Sequence, residues 1–167
     1  MLNYNLVPPI PATGGNPFIH REIIPRLTDM WAEDYRRQHA GSLLLVIDLA
    51  HCSYLFDQAA SRLVAAWAIS KGKVVSERDQ SRMRGFPKKE DSSFHRGHVI
   101  PHQMGGGLDI NLVIQFGKLN IGQFKVLENK ATAQPGSLYF TYWKYNDKLS
   151  QKPFSVEQGL LPPGKTI

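Results

Sequence analysis

The sequence predicts a mixed α+β fold, and three observations lead to this fold class. Apolar residues recur at helical spacing along one early segment, at Leu27, Met30, Trp31 and Tyr35. Short apolar runs bounded by polar turns follow from residue 42 onward, which is typical of strands. Helical patterns come first, strands next, and one further helix and strand last. This order favours α+β over a doubly wound parallel sheet.

The N-terminal part is predicted to hold an arm and two helices. Residues 1–15 are rich in Pro and Gly and indicate an extended arm. Asn16 and Pro17 form a helix-start signal, because Asn caps a helix and Pro suits its first turn. Pro25 is expected to end that first helix, and a second helix is predicted from Pro25 to His39.

The remaining elements are one helix and several strands. Apolar and aromatic content predicts strands at residues 42–48, 54–56, 63–69 and 137–145. The first of these is a continuous apolar run and is expected to be buried. Residues 120–133 are predicted to be helical, with Phe124, Leu127 and Ala131 on one face. Residues 94–119 are expected to be an irregular loop, and the tail after Asn146 shows little pattern.

A chain of 167 residues predicts one globular domain. Within it, residues 1–40 are expected to be an arm and helices packed on a core of residues 41–167. The chain contains 14 Gly and 11 Pro, together about 15% against a usual ~12%. This excess favours loops over a helical bundle.

The net charge is +6, and its distribution is uneven. Residues 1–70 carry five Arg and six acidic residues, whereas residues 71–98 carry eight basic and four acidic residues. Residues 99–167 carry seven Lys and four acidic residues. A basic surface favours a polyanion such as nucleic acid.

The single cysteine, Cys52, excludes an intrachain disulfide. It is interpreted as a small buried residue, with a catalytic thiol beside His51 as the alternative. The sequence has no run of ~18 apolar residues, so no membrane span is expected. The first residues lack the charged and apolar regions of an ordinary signal peptide.

Three histidines lie within eight residues, at His95, His98 and His102. They are consistent with an ordinary polar loop, with a zinc site, or with a general base. Against zinc, Pro101 blocks a helical pairing of His98 with His102, and no nearby Cys or acidic residue completes a set of four ligands. A histidine suits the role of general base, because it can take a proton from water near pH 7.

Hydrolysis of a phosphodiester also requires a cation near the phosphate. A hard cation such as Mg²⁺ takes oxygen ligands and keeps several waters. Asn120 stands at the predicted start of a helix, where its amide oxygen can serve as such a ligand. Glu128 follows two turns later and can lie on the same side of that helix.

These residues form a composite motif. It runs His95-Arg96-Gly97-His98, then Pro101, then Asn111-x-x-x-Gln115, and then Asn120-x-Gly122-x-Phe124-x-x-Leu127-Glu128. In order and spacing it resembles the DNA/RNA non-specific endonuclease family, the ββα-metal nucleases, which include nuclease domains of bacterial polymorphic toxins. The resemblance covers about 35 residues. It implies a mostly antiparallel sheet with flanking helices and a metal-binding helix.

The resemblance also implies roles for individual residues. His98 matches the general base that activates water, and Asn120 matches the single protein ligand of Mg²⁺, with Mn²⁺ as an alternative ion. Glu128 matches the carboxylate that acts on the metal through water. Asn111 matches an asparagine that holds the base loop or contacts substrate. Arg96 and Gly97 match the middle of the motif, where a tight turn is expected to need glycine.

The chain departs from the family pattern at two positions. The leading Asp of the motif is His95, and the basic residue four positions after the glutamate is Thr132. That phosphate contact is expected either to be lost or to be taken over by Lys125 or Lys130. An upstream arginine is expected to assist catalysis, with Arg84 preferred because Gly85 follows it. Arg78 and Arg82 are the other candidates and are expected to bind substrate.

The predicted function is therefore a Mg²⁺-dependent, non-specific endonuclease acting on DNA and also on RNA, with no small-molecule cofactor. The resemblance further implies a toxin or effector domain that is made in the cytoplasm and delivered by a secretion system of the type VI kind. A cognate immunity protein would cover its site. The alternatives are a domestic repair or scavenging nuclease, and a nucleic-acid-binding module with a degenerate site. The row Tyr139, Trp143 and Tyr145 is consistent with sheet packing or with base stacking.

Overall fold

The computed structural model describes residues 1–13, 15–74, 94–107, 109–116 and 123–164. Within these ranges the fold is α+β, with a mostly antiparallel arrangement of strands, as the sequence predicts. Five strands form one sheet in the order β1-β2-β3-β6-β7, and two more, β4 and β5, pair separately. The strands are β1 (Leu44–Leu49), β2 (Cys52–Asp57), β3 (Arg62–Ile69), β4 (Phe94–His98), β5 (Leu112–Phe116), β6 (Leu138–Lys144) and β7 (Ser155–Leu161).

The helical N-terminal part differs from the prediction at Pro25. Helix α1 (Gly15–Phe18) leads through a π-helical turn (Ile19–Ile23) directly into α2 (Ile24–Gln38). In the π turn the Ile24 amide donates to the carbonyl of Ile19, five residues back. This wider turn accommodates a proline that has no N–H group. The expected break at Pro25 is therefore wrong, because Pro25 lies in the first turn of α2.

Helix α2 packs on one face of the five-stranded sheet. Trp31 is fully buried and its ring lies close to the rings of Trp67, Phe140 and Tyr142. The Tyr142 hydroxyl donates to Asp34 on the same helix at 2.8 Å. These contacts confirm the predicted apolar face of the helix.

The opposite face of the sheet carries the last helix, α3 (Gln123–Ala133). Phe124 stacks on Trp143 with ring centroids 5.9 Å apart. Trp143 directly follows Tyr142 in β6. Successive side chains of a strand point to opposite faces of the sheet, so Trp143 lies on the face away from α2. The buried residues Phe124 and Ala131, with the partly buried Leu127 between them, form the inward face of α3, as predicted. The sheet therefore lies between α2 and α3.

The first strand is less buried than predicted. Among the described strands, β1 lies at the edge of the sheet and pairs only with β2. Leu45, Val46 and Leu49 are each about half exposed, at 45%, 54% and 50%. The continuous apolar run indicates a strand correctly, but hydrophobicity does not distinguish an edge strand from a central one.

Strands β4, β5 and β7 lie in segments that were expected to be irregular. On the face of the sheet that packs against α2, β7 contributes Glu157, Gly159 and Leu161. Two of these three residues are not apolar side chains, so the strand lacks the usual apolar alternation. Glu157 is buried because Lys144 Nζ lies 2.6 Å from its carboxylate and the Tyr4 hydroxyl donates to it at 2.7 Å. A Cβ atom at Gly159 would overlap the ring of Phe140. Contacts with residues on other elements, and not the local sequence pattern, therefore determine that this segment forms a strand.

A buried cation joins one end of the sheet to the loop after β6. Arg62 is 2% exposed, and its Nε donates to the Tyr35 hydroxyl at 2.7 Å. Its Nη1 donates to the carbonyls of Asp147 and Ser150, each at 2.8 Å. The Tyr35 hydroxyl in turn donates to Asp57 at 2.8 Å, so the buried charge has a carboxylate close by. Charges at this depth require such partners.

None of the helices in the described part of the chain is long and apolar enough to cross a membrane.

His39 makes the stability of this region depend on pH. It is buried, and burial together with the Arg62 cation lowers its pKa below the ordinary value of 6.5. As the pH falls through about 6.5, the unfolded chain binds a proton at this imidazole that the folded chain does not. We expect His39→Gln to reduce the loss of stability between pH 7.5 and 5.5, measured by denaturant unfolding. His20→Gln, at an exposed histidine, is the control, and equal pH slopes for wild type and His39→Gln would contradict the prediction.

Candidate active site

The histidine motif lies on the short ribbon formed by β4 and β5. The two strands are antiparallel, with His98 opposite Leu112 and His95 opposite Gln115. Gly97 lies within β4 and not in the tight turn that the motif suggested, so that expectation is wrong. A Cβ atom at Gly97 would overlap the Gln115 carboxamide. A larger residue at this position would therefore displace the Gln115 carboxamide of the neighbouring strand.

The chain beyond His98 is held by the side chain of Asn111. The Asn111 carboxamide accepts from the Ile100 amide and donates to the Ile100 carbonyl, both at 2.9 Å. It also donates to the Gly107 carbonyl at 2.9 Å, while its own backbone carbonyl accepts from Val99. Asn111 is fully buried. This geometry is that of a residue that holds the loop, the first of the two roles given to Asn111 above.

The glycines after His102 allow the loop to pack closely. A short 3-10 turn (His102–Met104) ends at Gly105, whose φ of +83° is in the left-handed region. A Cβ atom at Gly106 would overlap the Ile100 carbonyl. His51 Nε2 lies 2.9 Å from the Met104 carbonyl and joins this turn to the connection between β1 and β2. The loop is therefore attached to the main sheet.

The three histidines do not share one surface. His95 and His98 are three residues apart on β4, so their side chains point to opposite faces of the ribbon. His95 is exposed and His98 is half-buried, with its ring 6.2 Å from that of His102. Within the described residues no three His, Cys, Asp or Glu side chains are grouped as metal ligands. This arrangement does not favour the zinc reading.

Helix α3 presents its predicted site residues on two sides. Glu128 is half-buried and faces the sheet, whereas Lys125 and Lys130 are exposed. Burial raises the pKa of the Tyr139 hydroxyl, the hydrogen bond from Gln158 lowers it, and the carboxylate of Glu128 raises it further.

Several predicted site residues lie outside the described residues. These are the metal ligand Asn120 and the three upstream arginines, Arg78, Arg82 and Arg84. Their roles stay predictions. Arg96 is described: it is half-buried on β4, opposite Ile114.

Cys52 has the environment of a core residue. It is 2% exposed, and burial raises the pKa of its thiol. The neighbouring His51 ring is directed to the Met104 carbonyl. A reactive thiolate needs the opposite conditions, so the structure favours the interpretation of Cys52 as a small buried residue. Tyr139, Trp143 and Tyr145 are also buried, as expected for sheet packing.

The sequence reasoning gave no role to Gln115, and the structure shows that its surroundings are unusual. It is 4% exposed, and neither its Oε1 nor its Nε2 has a hydrogen-bond partner among the described residues. The available signal was a polar residue at the end of the apolar run Leu112-Val113-Ile114. Lys152 and Phe154, which line the same cavity as Gln115, carry no comparable signal.

No family model matches the sequence, and no curated protein matches it. Solved structures with some likeness include NucA from Streptococcus agalactiae with no metal bound. It is 15% identical with a TM-score of 0.47, and the likeness covers 77% of this chain and 81% of that one. NucA with magnesium ion bound is 14% identical with a TM-score of 0.48, covering 77% and 82%. At these values the likeness carries no weight in assigning a function.

We expect Asn111→Ala to destabilise the fold. Removal of the carboxamide leaves the buried amide and carbonyl of Ile100 without their partner, and one such buried group costs about 1–3 kcal/mol. Denaturant unfolding should therefore show a loss of at least ~1 kcal/mol relative to wild type. Asn129→Ala, on the exposed side of α3, is the control. A stability loss no larger than that of the control would show that the loop does not depend on Asn111.

Proposed function

We propose that the chain is a Mg²⁺-dependent endonuclease that hydrolyses phosphodiester bonds of DNA and RNA with little sequence preference. The observation that carries the proposal is the position of His98. It is the last residue of β4, it is half-buried, and the backbone just beyond it is bonded to the buried Asn111 side chain. A general base requires a fixed orientation toward the water that it deprotonates.

In this mechanism the imidazole of His98 takes a proton from water. The resulting nucleophile attacks phosphorus in line with the leaving 3′ oxygen, which generates a 5′ phosphate. The hydrogen bonds of Asn111 restrict the movement of the chain after His98, so the imidazole keeps its orientation as the proton moves. Asn111 therefore acts as a positioning residue.

The donor set proposed for the cation consists of oxygen atoms. Asn120 would contribute its amide oxygen and Glu128 its carboxylate through water, and oxygen ligands suit Mg²⁺ or Mn²⁺. The half-buried Glu128 can hold a water from its side of α3. A bound Mg²⁺ offsets the negative charge that develops at the phosphate and the leaving oxygen.

Basic residues near the motif would bind the phosphate backbone. Lys125 and Lys130 are exposed on α3, and Arg78, Arg82, Arg84 and Arg96 supply further positive charge. Contacts to phosphates carry no sequence information, which fits a nuclease with little preference. Arg84 is proposed to assist catalysis from the upstream segment.

The proposal predicts metal-dependent cleavage that requires His98. Purified protein should nick and linearise plasmid DNA and degrade RNA with Mg²⁺, and EDTA should abolish both activities. Loss of a general base lowers rates by about 100-fold or more. The cleavage rate of the His98→Ala variant should therefore fall by at least this factor, while its circular dichroism spectrum should match that of wild type. His20→Ala is the matched control. Binding of nucleic acid without any Mg²⁺-dependent cleavage would instead favour a binding module with a degenerate site.

We further propose that the nuclease is a toxin or effector domain delivered into the cytoplasm of a target cell. The support is the resemblance of the motif to nuclease domains of polymorphic toxins. The basic excess of residues 71–167 would also suit an acidic immunity protein that covers the site. A domestic repair or scavenging nuclease is the competing role.

Expression in the bacterial cytoplasm distinguishes the two roles. An effector should reduce viable counts and fragment the chromosome, and His98→Ala should remove both effects. Viable counts and genomic DNA on agarose gels measure the outcome, with His20→Ala as the control. Normal growth of cells that contain active, soluble enzyme would favour the domestic role.

A further inference from the structure

Among the described strands, the five-stranded sheet has two edges, and they differ in exposure. Strand β7 forms one edge, and six of its seven residues are buried or half-buried. The N-terminal arm lies against this strand, since the Leu2 amide and the Tyr4 hydroxyl donate to Glu157. Strand β1 forms the other edge, and four of its six residues are exposed: Leu45, Val46, Asp48 and Leu49. The β1 edge is therefore the more open of the two.

This edge segment, residues 43–49, is unusually apolar for a surface. Nine large apolar side chains are exposed in the described part of the chain, and four of them lie between Leu43 and Leu49. Asp48 is the only charged residue of the segment. Proteins usually protect an open edge with lysine, proline or a β-bulge. The edge segment contains no lysine or proline, and the register of β1 with β2 runs without a shift. The segment therefore has the features of a strand that is covered by another strand.

The backbone hydrogen bonds of β1 show which groups a new strand would meet. The Gln58 amide donates to the Leu43 carbonyl at 2.8 Å. Hydrogen-bonded pairs alternate along an antiparallel ladder, so the odd-numbered residues from 43 to 49 bond to β2. The N–H and C=O groups of the alternate residues, Leu44, Val46 and Asp48, therefore point outward. They can form about six hydrogen bonds with a second strand in the same arrangement.

The edge segment is complementary to a second copy of itself. When two copies run antiparallel about a two-fold axis at Val46, this valine lies opposite its own copy. Leu43 then lies opposite Leu49, and Leu45 lies opposite Ile47. Each exposed apolar side chain of the segment thereby gains an apolar neighbour, and such cross-strand pairs stabilise sheets. This self-complementarity favours a second copy of the chain as the occupant.

The backbone groups and the charges also suit this pairing. The outward groups of Val46 face those of its copy, and the outward groups of Leu44 face those of Asp48. The two Asp48 carboxylates are four residues apart along the pair, about 13 Å at ~3.3 Å per residue. This separation exceeds the screening length of ~8 Å at physiological ionic strength, so the carboxylates repel each other little. The basic excess of the chain lies in residues 71–167 and not in this segment, so the edge does not suit a nucleic acid.

We propose that the chain forms a homodimer in which the two β1 strands pair antiparallel about a two-fold axis at Val46. The two five-stranded sheets then form one continuous ten-stranded sheet. The assembly is closed, because the same edge of each copy is used once. The inference goes beyond the proposed nuclease function and does not rest on it.

The first test is the molar mass of the full chain, measured by sedimentation and light scattering over a dilution series. The series should reach about 100 µM, because small interfaces bind weakly. High salt prevents bridging of two basic chains by bound nucleic acid, and it leaves a pairing of apolar side chains and backbone groups intact. We expect twice the mass of one chain at the upper concentrations and dissociation on dilution. The mass of one chain throughout would overturn the dimer and leave the edge to a strand of a different protein.

Charged variants at the axis test the pairing itself. Val46→Lys should weaken dimerisation by about tenfold or more, because it places two cations opposite each other. Val46→Glu should have the same effect, and an equimolar mixture of the two variants should dimerise again, since an ammonium then faces a carboxylate. Val126→Lys, at an exposed valine on α3, is the matched control and should dimerise as wild type. All three variants should keep the circular dichroism spectrum of wild type, because both valines are exposed.

The same variants test the register. An axis at Ile47 would also pair outward backbone groups, but it would place Val46 opposite Asp48. The Val46→Lys variant would then dimerise more tightly than wild type, because its ammonium would face a carboxylate. Tighter or unchanged dimerisation of Val46→Lys, or a mixture with Val46→Glu that stays monomeric, would overturn the proposal.

Discussion

The position of the candidate site depends on the hydrogen bonds of one buried side chain, the Asn111 carboxamide. A two-stranded ribbon is marginally stable in water, so β4 and β5 need support from the rest of the molecule. Asn111 bonds to both polar groups of the Ile100 backbone and to the Gly107 carbonyl. It thereby replaces the strand pairing that ends at His98. Gly106 also packs directly on the Ile100 carbonyl. The loop after His98 therefore has little conformational freedom.

The two faces of the main sheet have different roles: one is a packed structural layer, and the other carries the elements of the candidate site. The α2 face is a structural layer, in which Trp31 packs on three aromatic rings and the buried charges of Arg62, Asp57 and Glu157 have close partners. The other face carries the ribbon, α3 and the cavity beside Gln115. Arg62 connects the two, since it also holds the loop that leads to Lys152.

Most elements with regular apolar spacing were predicted well from sequence. The exceptions are β5, a short apolar run that was assigned to an irregular loop, and the elements whose inward residues are polar. Helix α2, strands β2, β3 and β6, and the inward face of α3 follow directly from their patterns. Strand β4 was missed because two histidines, an arginine and a glycine occupy it, and β7 because Glu157 and Gly159 face inward. The π turn before Pro25 was missed because its hydrogen bond reaches one residue further than that of an ordinary helix. In each case a tertiary contact outweighs the local preference.

By itself, the sequence determined the fold class, the composite motif with its candidate base His98, and the location of the basic charge, because these depend on composition and spacing along the chain. The tertiary structure decided which of these residues share a surface. It separated His95 from His98 across the ribbon, buried Asn111 as the holder of the loop, made β1 an edge strand, and placed the Gln115 carboxamide against Gly97. These outcomes depend on contacts between residues far apart in the chain, and neither residue of such a pair identifies its partner by local pattern.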